Sequence, residues 1–267
     1  MDDAVRRIRQ ETALEPRVGV VLGSGLGGLA DALEDAVEVP YADIPGWPTS
    51  TAVGHAGVLC LGSVDAVPVA AMRGRAHLYE GIAAERVVFG VRVLGHLGIS
   101  TLVVTNAAGA ITEEYGPGQL VLVSDHVNLM GTSPLVGPND DELGPRFPDL
   151  HDAYDPELRR QAHDAAERLG IDLAEGVYGG WLGPQFETPA EIRFMRAAGC
   201  DLAGMSTVPE VIAARHLGLR CLGISVVTNM AAGIGGRIDH ESVLEVAAGA
   251  GADVTRLLRE LLPVLAA

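Results

Sequence analysis

Six short motifs in this 267-residue chain combine small residues with side chains that can hold an anion or a polar ring. Glycine and alanine let a backbone come close to a ligand, while hydroxyl, imidazole, guanidinium and carboxamide groups supply hydrogen bonds. Together the motifs predict a binding site assembled from distant parts of the chain. They are Gly23-Ser24-Gly25-Leu26-Gly27, Gly74-Arg75-Ala76-His77-Leu78-Tyr79-Glu80, Asn106-Ala107-Ala108-Gly109, Phe186-Glu187-Thr188-Pro189-Ala190-Glu191, Met205-Ser206-Thr207-Val208-Pro209-Glu210 and Thr228-Asn229.

The first glycine motif follows the apolar run 18–22 and precedes a helical pattern, so backbone N–H groups at a helix start could bind an anion there. Residues 23–28 also satisfy the G-x-G-x-x-G pattern of dinucleotide-binding proteins. That alternative needs an acidic residue about 20 positions later, at the end of a second strand. Asp43 has the spacing but lies in a turn-like segment, which disfavours a dinucleotide. A tight turn without a ligand is the remaining alternative.

Two basic side chains and a serine could complete an anion site. Arg75 and His77 lie two residues apart, so both side chains share one face if the segment is extended. A guanidinium forks onto phosphate oxygens, and a nearby imidazole can add a donor. His55 is a further candidate donor. Ser206 precedes a segment with capping-box spacing, which predicts that its hydroxyl lies at the positive end of a helix. A surface Arg and a core His are the alternative.

Two asparagine-containing segments are predicted to follow buried strands. Residues 106–109 come after the apolar run 101–105, and Thr228 and Asn229 come after the run 221–227. Ligands bind at the carboxyl ends of strands in such sheets. The side chain of Asn229 offers both a donor and an acceptor, which suits a heterocyclic ring. The alternative is an ordinary turn after a strand.

Glu187 precedes a second capping box, with Thr188 as the predicted N-cap and Pro189 as the first helical residue. The helix dipole is expected to favour an ionised Glu187. Because an ionised carboxylate only accepts hydrogen bonds, it suits a ligand that presents N–H groups. The alternative is that Glu187 only supports the helix cap.

Apolar runs and helical patterns alternate along the chain, and the composition is 48% hydrophobic but only 4% aromatic. These features predict an α/β fold: a single domain over residues 1–267, with a mixed, mostly parallel central β-sheet flanked by helices. The predicted strands are 18–22, 67–70, 101–105, 120–123 and 221–227, and the predicted helices are 83–97, 155–169 and 240–262.

The net charge of −16 and a pI near 4.8 argue against nucleic acid or an anionic membrane as a partner. All 19 basic residues are Arg, which excludes a Lys nucleophile or Schiff base. Three cysteines without short spacing argue against a disulfide framework or a zinc site, and no metal is predicted. Nothing resembles a signal peptide or a membrane helix, so we expect a soluble, cytoplasmic protein.

The order and spacing of the six motifs resemble the trimeric purine nucleoside phosphorylases, from about residue 18 to about residue 246. The resemblance implies a nucleoside phosphorylase-like fold, a homotrimer, a role in purine salvage, and phosphorolysis of 6-oxopurine nucleosides such as inosine and guanosine. The products would be the free base and ribose 1-phosphate or deoxyribose 1-phosphate. Inorganic phosphate would be a co-substrate, and no cofactor is implied. The choice among inosine, guanosine and their deoxy forms stays open.

The resemblance also implies roles for individual residues. Phe147, in the Gly- and Pro-rich segment 128–152, is expected to reach a neighbouring subunit's site; that segment is too long for an ordinary connection. The expected catalytic residues are Asn229, Glu187 and His77. The expected phosphate ligands are Ser24, His55, Arg75, His77, Ala107 and Ser206. The expected nucleoside contacts are Tyr79, Phe147, Tyr178, Phe186, Glu187, Met205, Asn229 and His240.

Two alternatives to this function differ in class. A 5′-methylthioadenosine phosphorylase belongs to the same superfamily, but by resemblance its phosphate segment lacks the G-R-x-H-x-Y-E form and its base-binding residue is usually Asp. Residues 74–80 and Asn229 therefore disfavour it. A noncatalytic dinucleotide-binding protein would explain residues 23–28 but would leave Arg75, Glu187 and Asn229 without a role.

Overall fold

The computed structural model describes residues 1–52 and 54–267. Within these residues the chain forms nine strands and eight α-helices. The strands are β1 (Val18–Leu22), β2 (Glu34–Pro40), β3 (Val58–Val64), β4 (Val67–Arg73), β5 (Thr101–Ala110), β6 (Leu120–Asn128), β7 (Leu173–Gly180), β8 (Leu202–Gly204) and β9 (Arg220–Met230). The helices are α1 (Asp2–Arg9), α2 (Gly28–Asp31), α3 (Ala84–Val87), α4 (Phe89–Leu97), α5 (Pro156–Leu169), α6 (Pro189–Ala197), α7 (Val208–His216) and α8 (His240–Leu265). Single 3-10 turns cover Tyr41–Asp43 and Leu78–Glu80.

The strands form one sheet in the order β2-β3-β4-β1-β5-β8-β7-β6-β9. An additional pairing between β5 and β9 closes β5, β8, β7, β6 and β9 into a five-stranded ring. Among the described residues, five of the nine strand pairings are parallel and four are antiparallel. The predicted α/β fold with a mixed, mostly parallel sheet is confirmed.

Four of the five predicted strands are longer in the structure, and two of these, β5 and β9, carry asparagines of the motifs. β5 continues past Asn106, and β9 continues past Asn229. Asn106 pairs with Ser225, and Gly109 pairs with Asn229 after a shift in register. The two strands stay in contact because small residues lie between them: a Cβ on Gly109 would come within 3.0 Å of Asn229 Nδ2. Both asparagines therefore project from within strands rather than from turns that follow them.

Capping side chains define where the longer helices begin. Asp155 accepts hydrogen bonds from two backbone N–H groups at the start of α5. The Thr188 hydroxyl accepts from the Glu191 backbone, and the Glu191 carboxylate accepts from the Thr188 backbone, so the predicted capping box is confirmed. The helix predicted over 83–97 is interrupted at Val88, whose backbone angles of −89° and 7° separate α3 from α4.

Helices cover the sheet on both faces. Buried side chains of α1, α4 and α7 share one apolar cluster with one face of the sheet. Buried side chains of α2, α5 and α8 share a second cluster with the other face. Ala, Val, Leu and Ile dominate both clusters, as the low aromatic content predicts. In the described part of the chain, none of the helices combines the length and the apolar character that a membrane span requires.

The strand order opposes the dinucleotide alternative. A dinucleotide-binding unit places the second strand beside the first, joined by a crossover helix. Here β1 lies between β4 and β5, whereas β2 lies at the edge of the sheet and pairs antiparallel with β3. Asp43 is exposed in a 3-10 turn instead of ending a parallel strand.

Candidate active site

A cavity of about 290 Å³ opens where β1, β4, β5 and β9 meet the start of α7. It gathers residues from all six sequence motifs. Of the fourteen residues expected to contact phosphate or nucleoside, twelve line it: Ser24, His55, Arg75, His77, Tyr79, Ala107, Phe186, Glu187, Met205, Ser206, Asn229 and His240. Tyr178 and Phe147 lie outside it.

The glycine turn after β1 forms one wall of the cavity. The Gly23 backbone N–H donates to the Thr105 hydroxyl at 3.0 Å. A Cβ on Gly23 would lie 2.9 Å from the Thr105 carbonyl oxygen, so only glycine fits this approach between neighbouring strands. The next residue, Ser24, places its hydroxyl oxygen 3.2 Å from Nε2 of His55. The Ser24 hydroxyl from this turn and the His55 imidazole thus lie at the same wall.

Arg75 lines the cavity from a buried position and is only 2% exposed. One Nη1 proton bonds to the Glu210 carboxylate at 2.9 Å, and Nη2 donates to the carbonyl oxygens of Val21 and Thr105. A guanidinium has five N–H donors, so these three bonds leave two donors for a ligand. The sequence suggests a guanidinium free to fork onto an anion. In the structure, three of its five N–H donors bond to the protein, and two remain for a ligand.

His77 and Glu80 form a hydrogen-bonded pair beside Arg75. Burial, and secondarily the Arg75 charge, lowers the pKa of His77 to about 4, although Glu80 opposes this shift. Burial alone would raise the pKa of Glu80, but hydrogen bonds from Thr51 and His77 hold it below its usual value. Because ionised Glu80 can only accept, its 3.1 Å contact assigns the proton of neutral His77 to Nδ1. Nε2 of His77 is then an acceptor, not the donor that the sequence analysis expects.

His55 and Tyr79 flank the His77 ring. Burial, followed by the charges of His77 and Arg75, lowers the pKa of His55 to about 3. The two imidazole centroids are 5.1 Å apart, and Tyr79 stacks on His77 at 4.6 Å. Burial raises the pKa of Tyr79 to about 12. At neutral pH this wall therefore carries uncharged rings, and Arg75 supplies its positive charge.

Ser206 lies between the end of β8 and the start of α7. Its backbone N–H donates to the Tyr178 hydroxyl at 3.2 Å. Tyr178 is fully buried and does not line the cavity, and its expected contact with the nucleoside stays a prediction. The close approach of Gly204 explains its position, since a Cβ there would lie 2.2 Å from the Tyr178 oxygen. Tyr178 contacts the backbone that carries Ser206.

Glu187 and Asn229 line the other side of the cavity. Glu187 is buried, and this burial raises the pKa of its carboxyl group. The expectation that the helix dipole fixes an ionised Glu187 therefore misses the larger effect, which is loss of water. Asn229 donates through Nδ2 to the Met230 carbonyl at 3.2 Å, and its Oδ1 accepts from Thr228 at 3.0 Å. Both side chains retain further hydrogen-bonding capacity for a ring with polar edges.

The cavity mouth and the segment 128–152 expose aromatic side chains. Phe186 lines the mouth and is 39% exposed. His240, the first residue of α8, is exposed at the same opening. Phe147 is 88% exposed and lies under the Arg146 guanidinium, outside the cavity of its own chain. Its contribution to a neighbouring subunit stays a prediction.

Several lining residues were not predicted as ligands. Asn106 and Thr228 belong to motifs that the sequence analysis identifies, and a strand that continues through them turns their side chains inward. Val243 belongs to the apolar stripe of α8, which gives no sign that one of its members faces a ligand. The remaining additions are Gly23, Ala108, Gly109, Pro184, Ala203 and Gly204.

No cluster of three or more His, Cys, Asp or Glu side chains suited to a metal ion occurs in residues 1–52 and 54–267. The polar groups of the cavity are hydroxyls, a guanidinium, imidazoles, carboxamides and one carboxylate. This set can hold a small anion at one end and a ring with N–H and carbonyl groups at the other.

The chain is similar to known proteins over nearly its whole length. Residues 17–263 match the family model described as Phosphorylase superfamily. Purine nucleoside phosphorylase 1 of Geobacillus stearothermophilus is 48% identical over 262 residues, which cover 98% of this chain and 96% of the relative. The crystal structure of Schistosoma mansoni purine nucleoside phosphorylase with inosine has a TM-score of 0.93 and 37% identity, covering 97% and 94% of the two chains. A structure from that organism with adenosine has the same TM-score and identity, covering 97% and 95%.

Proposed function

Because this chain belongs to the phosphorylase superfamily, among its purine nucleoside phosphorylases, we propose that its cavity cleaves the N-glycosidic bond of 6-oxopurine nucleosides with inorganic phosphate. The products are the free base and ribose 1-phosphate, or deoxyribose 1-phosphate from a deoxynucleoside. One observation carries the proposal: anion donors at Ser24, Arg75 and Ser206 share a single cavity with Glu187 and Asn229.

The proposed reaction exchanges one bond at the anomeric carbon of the sugar for another. The bond between that carbon and the base nitrogen breaks, and its electron pair leaves with the base. The base gains one proton overall, and the monohydrogen phosphate loses one as it becomes the ester. A phosphate oxygen forms the new bond to the same carbon. The transition state resembles a ribosyl oxocarbenium ion, which the phosphate negative charge stabilises before the oxygen captures it. Catalysis then consists mainly of positioning and of electrostatic stabilisation.

The phosphate end suits an anion that still carries a proton. Arg75 retains two N–H donors, and the hydroxyls of Ser24 and Ser206 and the backbone at Ala107 can add others. Nε2 of neutral His77 can accept a hydrogen bond from the proton that monohydrogen phosphate keeps near neutral pH. The uncharged imidazoles explain how the site avoids gathering three positive charges in one buried space.

The base end suits a ring whose negative charge grows as the glycosidic bond breaks. Asn229 can donate to the ring, and a hydrogen bond that strengthens with this charge lowers the barrier. Ionised Glu187 would accept from the N1–H of hypoxanthine or guanine. Adenine has a lone pair instead of an N–H at that position, so it would offer Glu187 no hydrogen-bond donor. The Schistosoma mansoni relative has been solved in complex with adenosine and, separately, in complex with inosine. Binding alone therefore does not measure this preference.

The proposed assembly is a homotrimer in which Phe147 approaches a partner's cavity. Its 88% exposure leaves the ring accessible to a neighbouring copy of the chain, as this assembly requires. A cytoplasmic location and a role in purine salvage accompany the proposed activity. Light scattering of the purified protein tests the assembly directly: a mass near three chains is expected, and a monomer at working concentrations contradicts it.

The deciding experiment measures release of hypoxanthine from inosine with and without inorganic phosphate, with adenosine and 5′-methylthioadenosine in parallel. Phosphate-dependent cleavage of inosine, much faster than of the two aminopurines, is expected. Cleavage of 5′-methylthioadenosine with inert inosine would favour that alternative enzyme. Thermal stabilisation by NAD, without stabilisation by phosphate plus hypoxanthine, would favour a dinucleotide-binding protein.

Glu187→Ala tests the basis of the base preference. A site that leaves a buried hydrogen-bonding group unpaired can discriminate by about 10⁴-fold or more. We expect the ratio of kcat/KM for inosine over adenosine to collapse towards one in this variant. A ratio that stays near the wild-type value would show that another residue reads the base.

A further inference from the structure

Thr207 has a backbone conformation that its side chain normally excludes. Its φ is 69° and its ψ is −54°, and the Val208 N–H bonds to the Ser206 carbonyl at 2.7 Å across it. These values describe a three-residue turn that is rare and strained, and positive φ is most unfavourable for a β-branched residue. Thr207 is also fully buried. Such strain persists only where the surrounding structure holds the residue in place.

Three side chains hold this turn. Glu210 Oε2 accepts from the Thr207 N–H at 3.0 Å while it pairs with Arg75. Asn106 Nδ2, on β5, donates to the Thr207 hydroxyl oxygen at 3.0 Å. That oxygen lies 3.2 Å from the Ser206 hydroxyl oxygen. Asn106 is 2% exposed, so water does not compete for its bond.

With Asn106 Nδ2 as the donor, these hydrogen bonds can run in one direction, from Asn106 through Thr207 to Ser206. A carboxamide nitrogen only donates, so the Thr207 hydroxyl oxygen is the acceptor and keeps its own proton for another partner. Ser206 Oγ lies within reach of that proton. Once it accepts from Thr207, the Ser206 hydroxyl has its own proton left for the cavity that it lines. The opposite order would turn oxygen lone pairs towards an anion.

We propose that Thr207, held by Asn106, is a positioning residue that directs the hydroxyl proton of Ser206 at the bound phosphate. The inference deepens the proposed function and rests on it, because Ser206 must face phosphate for its proton to matter. It also gives the strained turn a role, because in this conformation the Thr207 hydroxyl lies within hydrogen-bond distance of both Asn106 and Ser206.

The central test compares Thr207→Val with Thr207→Ser. Valine has the shape of threonine but no hydroxyl, whereas serine keeps the hydroxyl. We expect Thr207→Val to raise the KM for phosphate by at least about 10-fold, the equivalent of one hydrogen bond to a charged group. The KM for inosine at saturating phosphate should change by less than about 3-fold, since a residue that acts through Ser206 does not contact the base. Thr207→Ser should keep a phosphate KM close to the wild-type value.

A double-mutant cycle separates this role from a general structural one. In a Ser206→Ala background the relay has no proton to direct, so adding Thr207→Val should raise the phosphate KM no further. Equal effects of Thr207→Val with and without Ser206 would overturn the proposal. So would a parallel rise in both Michaelis constants, or no change in either. If Thr207→Val does not fold, Asn106→Leu removes the donor at the other end of the relay and replaces it in the same cycle.

The wild-type protein distinguishes the two failures. Phosphate-dependent cleavage of inosine by wild type, with an unaltered phosphate KM in Thr207→Val, overturns the relay and leaves the proposed function standing. Wild-type protein that neither cleaves inosine nor binds inorganic phosphate by calorimetry overturns both.

Discussion

The anion side and the base side of the cavity are built differently. On the anion side, Arg75, Thr207 and Asn106 are at most 2% exposed, and their hydrogen bonds link the segment after β4 with β5 and the start of α7. On the base side, Asn229 bonds to its chain neighbours, and Phe186 is 39% exposed at the mouth. The first side is a connected, buried network, and the second is a set of nearly independent groups.

This difference separates stability from selectivity. A change within a buried network leaves polar groups unpaired, so it should affect folding as well as phosphate binding. A change on the base side breaks few bonds within the protein and should affect mainly the chemistry of the base. Phosphate is common to all the proposed substrates and the base varies, so the rigid part of the site holds the invariant part of the reaction.

The largest expected effect comes from removing one member of the buried ion pair. Glu210→Ala leaves Arg75 charged and 2% exposed, and an uncompensated buried charge costs about 3–5 kcal/mol. We expect a loss of this size in the free energy of unfolding, measured in urea at fixed protein concentration. Glu260→Ala is the matched control, because its pair with Arg168 has side chains 40% and 60% exposed and should contribute below about 1 kcal/mol. Equal losses of unfolding free energy in the two variants would mean that the buried pair on the anion side contributes no more to stability than an exposed pair.

The next effect concerns acid. Unfolded His77 takes up a proton near pH 6.5, whereas folded His77 does so only near pH 4, mainly because it is buried. Stability should therefore fall as the pH drops from about 7 to about 4, and the two pKa values correspond to a contribution of about 3 kcal/mol. His77→Gln should give a flatter dependence of the free energy of unfolding across this window. Identical slopes for variant and wild type would contradict a buried, neutral imidazole.

The smallest effect tests the base side. Asn229→Ala should lower kcat/KM for inosine by at least about 10-fold, which corresponds to about 1.4 kcal/mol of transition-state stabilisation. The phosphate KM should stay unchanged, because Asn229 bonds to neither Arg75 nor Ser206 in the observed network. A rise in the phosphate KM equal to the fall in kcat/KM would show that the two sides are coupled, against the comparison above.

Sequence patterns predicted the fold and most of the cavity because the relevant signals are local. Alternating apolar runs and helical stripes indicated the α/β fold, and capping boxes located the starts of α6 and α7. Twelve of the fourteen expected contacts line one cavity because motifs at strand ends and helix starts converge at one edge of a sheet.

The sequence could not show which polar atoms the protein itself uses. Tyr178 has the type and position of a ligand, yet its hydroxyl accepts from the Ser206 backbone. Arg75 gives three of its five donors to Glu210 and two carbonyl oxygens, which are distant in sequence. The neutral His77 and the raised pKa of Glu187 depend on burial, a property of the assembled fold rather than of a motif.

The pairing of β5 with β9 fixes a length inside the cavity. Asn106 faces Ser225 near the phosphate end, and three positions along the strand Gly109 faces Asn229 at the base end. At about 3.3 Å per residue these rows are roughly 10 Å apart. Such a span accommodates a single sugar with one substituent on either side. Because the two strands are hydrogen-bonded to each other, they hold these two rows at a constant separation. This favours ligands that contact both rows over a free base or a lone anion.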